Sequence, residues 1–345
     1  MTTAPTLPST MRASVLTTVE TIALEERPVP RPGPDEVLVR VGSVGVCGSD
    51  VHYYKHGRIG SFVVDSPLVL GHEAGGTIEA VGDRVDADRV GQRVALEPQL
   101  PCRRCRQCKT GHLNLCPHME FFATPPIDGA FCDYVVLPAD FAHPVPDSMS
   151  DAAVALCEPL SVGLWANQKG GTRAGSTVFV TGAGPIGVVS AMAARAMGAT
   201  EIVVSDLVES RRQRVTELVG ATAVDPREGF DAADLGADVF LECSGATPAL
   251  RDGLRAVRPG GTAVLVGHGD DEVMLPVTDL QVREVTLTGI FRYVDTWPVA
   301  ISLASTGRVD LDALVTATYG LDDVEDALTS DEDPMSMKSV VVVGE

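Results

Sequence analysis

The sequence is poor in basic residues and lacks any long apolar run. Lysine and arginine total 27 against 47 aspartate and glutamate residues, which gives a formal net charge of -20 over 345 residues. Nucleic acids and anionic membranes are bound mainly through clustered Lys and Arg, so this charge argues against both kinds of partner. No segment approaches the roughly 20 apolar residues of a membrane span. Residues 1–10, MTTAPTLPST, lack a basic start and an apolar stretch, and we expect a flexible tail rather than a signal peptide there.

The remaining composition is that of a globular protein with more than one domain. Hydrophobic residues make up 45% of the chain and charged residues 21%, so a substantial core can form and disorder is not indicated. The chain also contains eight cysteines. Because reducing compartments keep thiols free, eight cysteines in a chain that we expect to be cytoplasmic indicate metal binding more than disulfides.

The run Gly71-His72-Glu73, together with the upstream Cys47, predicts a metal centre. A thiolate, an imidazole and a carboxylate are ligand types that bind zinc while leaving one position for water or substrate. Glycines follow closely at 75, 76 and 82, and residues without a Cβ atom let the backbone pass near a metal or cofactor. On its own, Cys47 would be interpreted as a small core residue. Its neighbours favour a catalytic zinc site instead.

Four other cysteines have the close spacing of a structural zinc site with four thiolate ligands. They are Cys102, Cys105, Cys108 and Cys116. Because the protein fills every ligand position, such an ion would hold a loop together and perform no chemistry. Nearby Arg and Lys residues raise the alternative of a nucleic-acid-binding finger, which the acidic balance of the chain disfavours. Cys132 and Cys243 have no partner pattern, and we interpret them as buried thiols.

The pattern of strands and helices changes near residue 155. Before it, β-branched runs such as 36–46 are separated by Pro and Gly, which predicts a mostly β region with long loops. After it, strand-like runs such as 177–181 and 201–205 alternate with helical runs such as 185–197. This alternation predicts a parallel sheet covered on both faces.

The glycine-rich run Gly182-Ala183-Gly184-Pro185-Ile186-Gly187 directly follows a predicted strand and opens a helix, and Asp206 ends the next strand. This context predicts a dinucleotide-binding turn: the glycines allow a tight turn, a close approach to the pyrophosphate and close packing of helix on sheet. We expect Asp206 to accept hydrogen bonds from the adenosine ribose and to repel a 2′-phosphate, which predicts NAD over NADP. Arg212 is interpreted either as a partner for such a phosphate or as part of a solvated helix face.

The pattern from Gly71 to Val85 resembles the zinc signature of the medium-chain dehydrogenase/reductase family. The motif 47–54, followed by 56–60, narrows the resemblance to the sorbitol, or polyol, dehydrogenase branch. Similarity continues through 158–163 to 291–302 and covers nearly everything after residue 11.

This resemblance implies an α/β fold with two domains. A GroES-like, mostly β catalytic domain would comprise residues 11–159 and 297–345, and a Rossmann domain with a doubly wound parallel sheet would comprise residues 160–296 and bind NAD. The strand near 285–290 would extend its sheet across subunits of a homo-oligomer, either a tetramer or a dimer.

The resemblance also implies one catalytic and one structural zinc per subunit. Cys47 and His72 would hold the catalytic ion, and Glu73 and Glu158 are the two candidates for its carboxylate ligand. Glu73 is alternatively interpreted as a brace for the other ligands. Asp50 is expected to orient His72 through its second ring nitrogen.

By the same resemblance, Ser49 and His52 occupy the positions of a proton relay, and Glu158 belongs to the catalytic group. The alcohol proton is expected to pass through Ser49 and the cofactor ribose toward His52 and water. The alternative interpretation of His52 is a surface loop residue.

The resemblance further implies two sets of contacts with small molecules. Substrate hydroxyls would be contacted by Tyr53, Glu158, Arg292 and Tyr293. The cofactor would be contacted by Gly182, Gly184, Pro185, Ile186, Gly187, Asp206, Arg211, Val266, Gly267, His268, Ile290, Phe291 and Arg292. The role of His268 is open, because the family pattern usually has an apolar residue at that position.

The sequence therefore predicts a zinc-dependent oxidoreductase that transfers a hydride between a secondary alcohol of a sugar alcohol, such as sorbitol or xylitol, and NAD, giving a ketose. One alternative is an L-threonine or 2,3-butanediol dehydrogenase of the same family. A second alternative is a catalytically silent protein that binds the cofactor.

Overall fold

The computed structural model describes residues 7–330, 333 and 335–344. The strands found there are β1 Thr10–Thr18, β2 Thr21–Pro28, β3 Glu36–Gly45, β4 Arg58–Ile59, β5 Phe62–Val63, β6 Leu68–Val69, β7 Glu73–Val81, β8 Arg93–Leu96, β9 Gln99–Leu100, β10 Glu120–Phe121, β11 Tyr134–Pro138, β12 Ala142–Pro144, β13 Thr177–Thr181, β14 Glu201–Ser205, β15 Thr222–Val224, β16 Ala237–Glu242, β17 Val257–Leu265, β18 Thr286–Gly289, β19 Val315–Gly320 and β20 Lys338–Val342. The helices are α1 Gly48–His56, α2 Arg106–Lys109, α3 Asp151–Ala155, α4 Cys157–Gly170, α5 Pro185–Ala196, α6 Glu209–Val219, α7 Thr247–Ala256, α8 Val277–Val282, α9 Trp297–Ser305 and α10 Val324–Thr329.

The chain divides into two compact units. The first runs to Glu158 and resumes at Val315, and the second is Pro159–Leu314. The second unit therefore extends past residue 296, where the sequence analysis placed its end. Helix α9 belongs to it because Trp297 is buried and packs edge-on against Tyr293, with 5.9 Å between the ring centroids.

The expected flexible tail falls largely on residues 1–6, which lie outside the described residues. Its last residue differs from the expectation. Thr10 begins β1 and is paired with Pro28 of β2 in an antiparallel ladder. The β-branched and apolar residues that follow it are buried, so the ordered chain starts before residue 11.

The first unit is built around a sheet with the strand order β12-β8-β7-β3-β20-β19, to which β11 adds by pairing with β3. Strand β3 lies between β7 and β20 and is mostly buried, as its run of valines requires. Strand β20 comes from the end of the chain and runs antiparallel to β3. The last strand therefore lies in the first unit, and it brings residues near 338 beside those near 46.

The second unit contains a six-stranded sheet with the order β15-β14-β13-β16-β17-β18, and every neighbouring pair is parallel. This is the order of a doubly wound dinucleotide-binding sheet, so the predicted fold class is confirmed. Phe179 and Phe240 stack at the centre of its core, 5.6 Å apart. The crevice at the carboxyl ends of β13 and β16, where the winding direction reverses, is where such sheets bind ligands.

Candidate metal and dinucleotide sites

Cys47, His72 and Glu73 lie together in the first unit. Each offers one ligand atom, and these atoms all lie within 4.8 Å of one another. The sheet explains the cluster, because Gly45 at the end of β3 is paired with Glu73 at the start of β7. The chain leaving β3 and the chain entering β7 therefore run side by side, and a thiol, an imidazole and a carboxylate converge.

Asp50 fixes the imidazole of His72. Its Oδ1 lies 3.4 Å from His72 Nδ1, and its carboxylate accepts the N–H groups of Gly71 at 2.9 Å and Cys47 at 3.0 Å. Nε2 is therefore the His72 nitrogen left to bind a metal. Burial would lower the pKa of His72, but the charges of Asp50 and Cys47 raise it well above its ordinary value. Burial would raise the pKa of Asp50, but His72 and the two backbone N–H groups lower it.

Lys338 is a charged residue of this site that the sequence analysis missed. Its Nζ lies 2.5 Å from Glu73 Oε1 and donates to the carbonyl oxygen of Val46 at 2.7 Å. Both side chains are buried. Burial would lower the pKa of Lys338, yet the charges of Glu73, Cys47 and Glu158 together raise it. The only signal in the sequence was a lysine heading an apolar run, which we interpreted simply as a strand.

The second carboxylate oxygen of Glu73 tests whether the site suits a metal ion. Oε2 is buried and has no hydrogen-bond partner, which would be costly for a charged group in a metal-free interior. It fits against Gly45, where a Cβ atom would take its place. The thiol sulfur of Cys47, the imidazole nitrogen of His72 and the carboxylate of Glu73 are ligand types that suit zinc. Glu158 is also buried, but within the described residues it does not belong to this three-ligand group.

Helix α1 carries the two residues expected to form the proton relay. Ser49 is the second residue of the helix and is half-buried, and His52 one turn later is exposed. The imidazole of His52 lies edge-on to that of His56, with 4.6 Å between the ring centroids. On the opposite face Tyr53 is buried.

We predict that Asp50→Asn weakens zinc binding by about 10- to 100-fold, because an amide orients the imidazole of His72 less firmly than a carboxylate does. Competition with a chromogenic chelator measures the rate and extent of zinc loss. Asp151→Asn is the matched control, since Asp151 is exposed and pairs only with Arg93 among the ion pairs of the described residues. Equal zinc retention in the two variants would contradict this role for Asp50.

The four closely spaced cysteines form a second group of ligand atoms within 4.8 Å of one another. Cys105 Sγ lies 3.4 Å from Cys108 Sγ and 3.9 Å from Cys116 Sγ, and all four thiols are free of disulfides. The backbone N–H of Arg104 helps to lower the pKa of Cys102 to about 6. The guanidinium of Arg103 pairs with Asp140 at 2.6 Å and lies over the ring of Phe141. Its positive charge is therefore balanced by a carboxylate of the protein itself.

We predict that Cys105→Ser removes one of two zinc ions and leaves the other bound. Loss of the four-thiolate site frees a loop that has little other regular structure, so trypsin is expected to cut within 102–116 far faster than in the parent protein. Elemental analysis and a proteolysis time course check both parts. Retention of two zinc ions per chain would contradict the assignment.

Of the remaining thiols, Cys132 and Cys157 are buried, whereas Cys243, which we had also expected to be buried, is half-buried. Burial raises the pKa of Cys132, Cys157 and Cys243 to about 12 in each case. Cys157 lies next to Glu158 in the chain, and its Sγ contacts the carbonyl oxygen of Ala153 at 3.4 Å rather than the three-ligand group. Cys132 and Cys157 are therefore core residues.

The glycine-rich turn follows β13 in the second unit. Gly182 has φ 88°, and a Cβ atom at Gly187 would run into the carbonyl oxygen of Gly182. Asp206 stands at the end of β14, where its carboxylate accepts the N–H of Ala183 at 2.7 Å and that of Val208 at 2.8 Å. A hydrogen bond thus joins the turn directly to Asp206. Gly184 caps the start of α5, and Pro185 and Ile186 are the first two residues of that helix.

The other expected cofactor contacts lie at the same edge of this sheet. Val266 and Gly267 follow β17 and donate their N–H groups to the carbonyl oxygen of Glu242, at 2.9 and 2.8 Å. Ile290 follows β18 and donates to the carbonyl oxygen of Leu265 at 3.1 Å. His268 continues the first of these loops, and Arg211 lies half-buried on α6.

Three loop residues after β18 were expected to contact small molecules: Phe291 the cofactor, Tyr293 the substrate, and Arg292 both. Phe291 is exposed, and the guanidinium of Arg292 lies 4.7 Å from the centroid of its ring. Tyr293 is fully buried. Of the expected substrate contacts, Arg292 and Tyr293 belong to the second unit, and Tyr53 and Glu158 belong to the first.

Arg212 does not fit its interpretation as part of a solvated helix face. Its side chain is only 17% exposed, and its Nη1 lies 3.1 Å from the carboxylate of Asp225 and donates to the carbonyl oxygen of Asp206 at 2.8 Å. It is therefore neither a solvated helix residue nor a cation without a counter-charge.

A search of the helices in the described residues found none with the length and apolar character needed to cross a membrane.

Family models match both parts of the chain. Residues 33–147 match the alcohol dehydrogenase GroES-like domain, and residues 185–306 match the zinc-binding dehydrogenase domain. Sorbitol dehydrogenase of Gallus gallus is 46% identical over 310 residues, covering 87% of each chain. Sorbitol dehydrogenase of Bacillus subtilis (strain 168) is 43% identical over 332 residues, covering 94% of each.

Solved structures share the same fold. L-idonate 5-dehydrogenase from Escherichia coli K-12 superposes with a TM-score of 0.91 at 31% identity, covering 96% of this chain and 98% of that one. A zinc-binding dehydrogenase from Sinorhizobium meliloti 1021, bound to NADP, superposes with a TM-score of 0.89 at 31% identity, covering 97% and 100%. Because the second of these proteins is bound to NADP, the fold by itself does not select NAD over NADP.

Proposed function

The chain belongs to the zinc-dependent medium-chain dehydrogenase/reductase family, and from that premise we propose that it oxidises a secondary hydroxyl of a sugar alcohol to a ketose with NAD. Relatives named sorbitol dehydrogenase, at 43% and 46% identity over most of the chain, favour a polyol over threonine or 2,3-butanediol as substrate. Retention of the whole metal cluster argues against a silent cofactor-binding protein.

The observation that carries this proposal is the cluster of Cys47, His72 and Glu73 with the unpartnered Oε2 of Glu73. Cys47 Sγ, His72 Nε2 and a carboxylate oxygen of Glu73 would hold the catalytic zinc, while the four-cysteine group would hold the structural zinc. When bound, zinc supplies a Lewis acid that favours the ionised form of an alcohol, and NAD supplies the hydride acceptor.

The chain's own residues position the ligands and carry the proton. Asp50 holds His72 in the orientation that leaves Nε2 free, and Lys338 binds Oε1 of Glu73 and so fixes its carboxylate. The alcohol proton would pass through Ser49 Oγ and the cofactor ribose toward His52, which is exposed and can release the proton to water.

Substrate hydroxyls would be bound by Tyr53, Glu158, Arg292 and Tyr293. A site built from such donors and acceptors rejects alcohols that lack the extra hydroxyls, because its polar groups would then stay unpaired. A panel of C4 to C6 sugar alcohols with NAD, read by absorbance of the reduced cofactor, tests this. We expect oxidation of a polyol such as sorbitol or xylitol and little turnover of threonine or 2-propanol. Equal or better turnover of threonine would contradict the substrate class.

The cofactor would be bound at the carboxyl edge of the parallel sheet, with its pyrophosphate at the glycine turn before α5. Asp206 would accept hydrogen bonds from the adenosine ribose hydroxyls and disfavour a 2′-phosphate, so we propose NAD as the cofactor.

We further propose that the protein works in the cytoplasm as a homotetramer or homodimer. Strand β18 is an edge strand within the described part of the sheet, and pairing of two such edges would join subunits. Light scattering during gel filtration measures the subunit number.

A further inference from the structure

Two arginines bracket the segment that would receive the adenosine ribose. Arg212 Nη1 donates to the carbonyl oxygen of Asp206 at 2.8 Å, and Arg227 Nη2 donates to the carbonyl oxygen of Leu207 at 2.9 Å. Guanidinium groups bind phosphate through charge-assisted, often bidentate hydrogen bonds. Two of them beside a ribose site would ordinarily favour a cofactor with a 2′-phosphate, which is the opposite of what Asp206 favours.

The carboxylate of Asp225 forms ion pairs with both of these arginines. Asp225 Oδ2 lies 3.1 Å from Arg212 Nη1 and 2.5 Å from Arg227 Nη2. Asp225 Oδ1 accepts the backbone N–H of Arg227 at 2.9 Å and its Nε–H at 2.8 Å. The side chain of Asp225 is only 3% exposed, so this geometry is held by packing as well as by charge.

The fold places Asp225 where it can do this. It directly follows β15, the neighbour of β14, and the N–H of Asp206 donates to the carbonyl oxygen of Val224 at 3.2 Å. Asp225 therefore stands at the same sheet edge as Asp206, one strand further out. The hydrogen bonds from Arg227 hold the pKa of Asp225 well below its usual range, so it is charged throughout the physiological pH range.

We propose that Asp225 is a specificity-determining positioning residue, which sequesters Arg212 and Arg227 so that neither is available to a 2′-phosphate. Asp206 and Asp225 together balance the two arginines; without Asp225 the same segment would carry one uncompensated positive charge. Two acids then discriminate between NAD and NADP. Asp206 repels the 2′-phosphate, and Asp225 keeps the two arginines from binding it. This inference rests on the proposed use of NAD.

Binding of ADP-ribose and of 2′-phospho-ADP-ribose, measured by calorimetry, tests the inference without zinc, substrate or turnover. The variants are Asp206→Ala, the double variant Asp206→Ala with Asp225→Asn, and a triple variant that adds Arg212→Gln. The double variant is expected to bind 2′-phospho-ADP-ribose about tenfold tighter than Asp206→Ala does, because freed guanidinium groups make charged hydrogen bonds. Its affinity for ADP-ribose should change by less than about threefold. The triple variant should lose the part of the gain that Arg212 supplies and keep the part that comes from Arg227.

A double variant that binds both ligands as Asp206→Ala does, or weakens both equally, would overturn the inference. A further comparison leaves Asp225 in place, so its result does not depend on whether a protein with Asp225 replaced still folds. In the Asp206→Ala background, Arg212→Gln should not change binding of 2′-phospho-ADP-ribose, whereas a marked loss would show that Arg212 already serves the phosphate. Stronger binding of the phosphorylated ligand by the parent protein would contradict both the inference and the use of NAD. Absence of polyol oxidation with the expected binding pattern would contradict the substrate class alone.

Discussion

Replacing Cys47 with serine is expected to remove the catalytic zinc and to lower kcat by about a thousandfold or more. A Lewis acid contributes several kcal/mol of transition-state stabilisation, and each 1.4 kcal/mol is worth about a factor of ten in rate. Cys47 is one of three protein ligands in the cluster, and a serine hydroxyl is a poor zinc ligand at neutral pH. Elemental analysis should find one zinc per chain in place of two, and the loss should appear with every polyol.

The matched control is Cys157→Ala. Cys157 is buried beside Glu158 in the chain, but its thiol contacts the carbonyl oxygen of Ala153 and is not part of the three-ligand group. This variant should keep two zinc ions and most of the activity, whatever small cost it brings to stability. A Cys47→Ser protein with two zinc ions and normal turnover would show that the thiolate is not a ligand.

Replacing Lys338 with methionine is expected to destabilise the metal-free protein by about 3–5 kcal/mol, because it leaves the buried carboxylate of Glu73 without a counter-charge. The zinc-loaded variant should lose less stability, since the metal would then be the cation nearest to Glu73. The difference between metal-free and zinc-loaded proteins separates a charge effect from a simple packing defect. Urea unfolding of both forms, followed by circular dichroism, measures it.

Two further variants sharpen this comparison. Lys169→Met removes an exposed lysine from the last turn of α4 and should change stability little. Adding Glu73→Gln to Lys338→Met removes the orphaned charge and should recover much of the stability of the metal-free protein. Equal losses with and without zinc, or no recovery in the double variant, would mean that Lys338 acts by packing and not through Glu73.

Local sequence patterns predicted the parallel sheet well. Strands 177–181 and 201–205 have the predicted bounds, because each is a short β-branched run between turn residues, and turn and helix signals follow within a few positions. The glycine turn could be predicted equally well, since the strand, the turn, the start of the helix and Asp206 lie within 30 residues. The metal ligands could be predicted for a different reason: residue type and flanking glycines identified them, although no local pattern showed that 47 and 72 meet.

The features that were missed depend on long-range pairing. Lys338 reaches Glu73 across 265 positions, because β20 inserts beside β3 and β3 pairs with β7. No window of sequence contains both residues. Asp225 was missed likewise: it is one acid among many in an acidic chain until β15 places it beside Arg212. The end of the second unit was placed too early because nothing in the local composition separates 297–314 from the residues before it.

The choice between Glu73 and Glu158 shows what side-chain geometry adds to sequence. Both are buried acids in the first unit, and both act electrostatically on Lys338. Of the two, Glu73 has a position within reach of Cys47 and His72 and an oxygen for which the described residues provide no hydrogen-bond partner. We therefore propose Glu73 as the carboxylate ligand and Glu158 as a substrate contact.

Diffraction from crystals of the zinc-loaded protein, recorded on both sides of the zinc absorption edge, locates the metal ions. We expect two anomalous peaks per chain: one among the four cysteines 102, 105, 108 and 116, and one bonded to Cys47 Sγ, His72 Nε2 and Glu73. A protein that oxidises polyols but shows a peak only at the four cysteines would contradict this expectation.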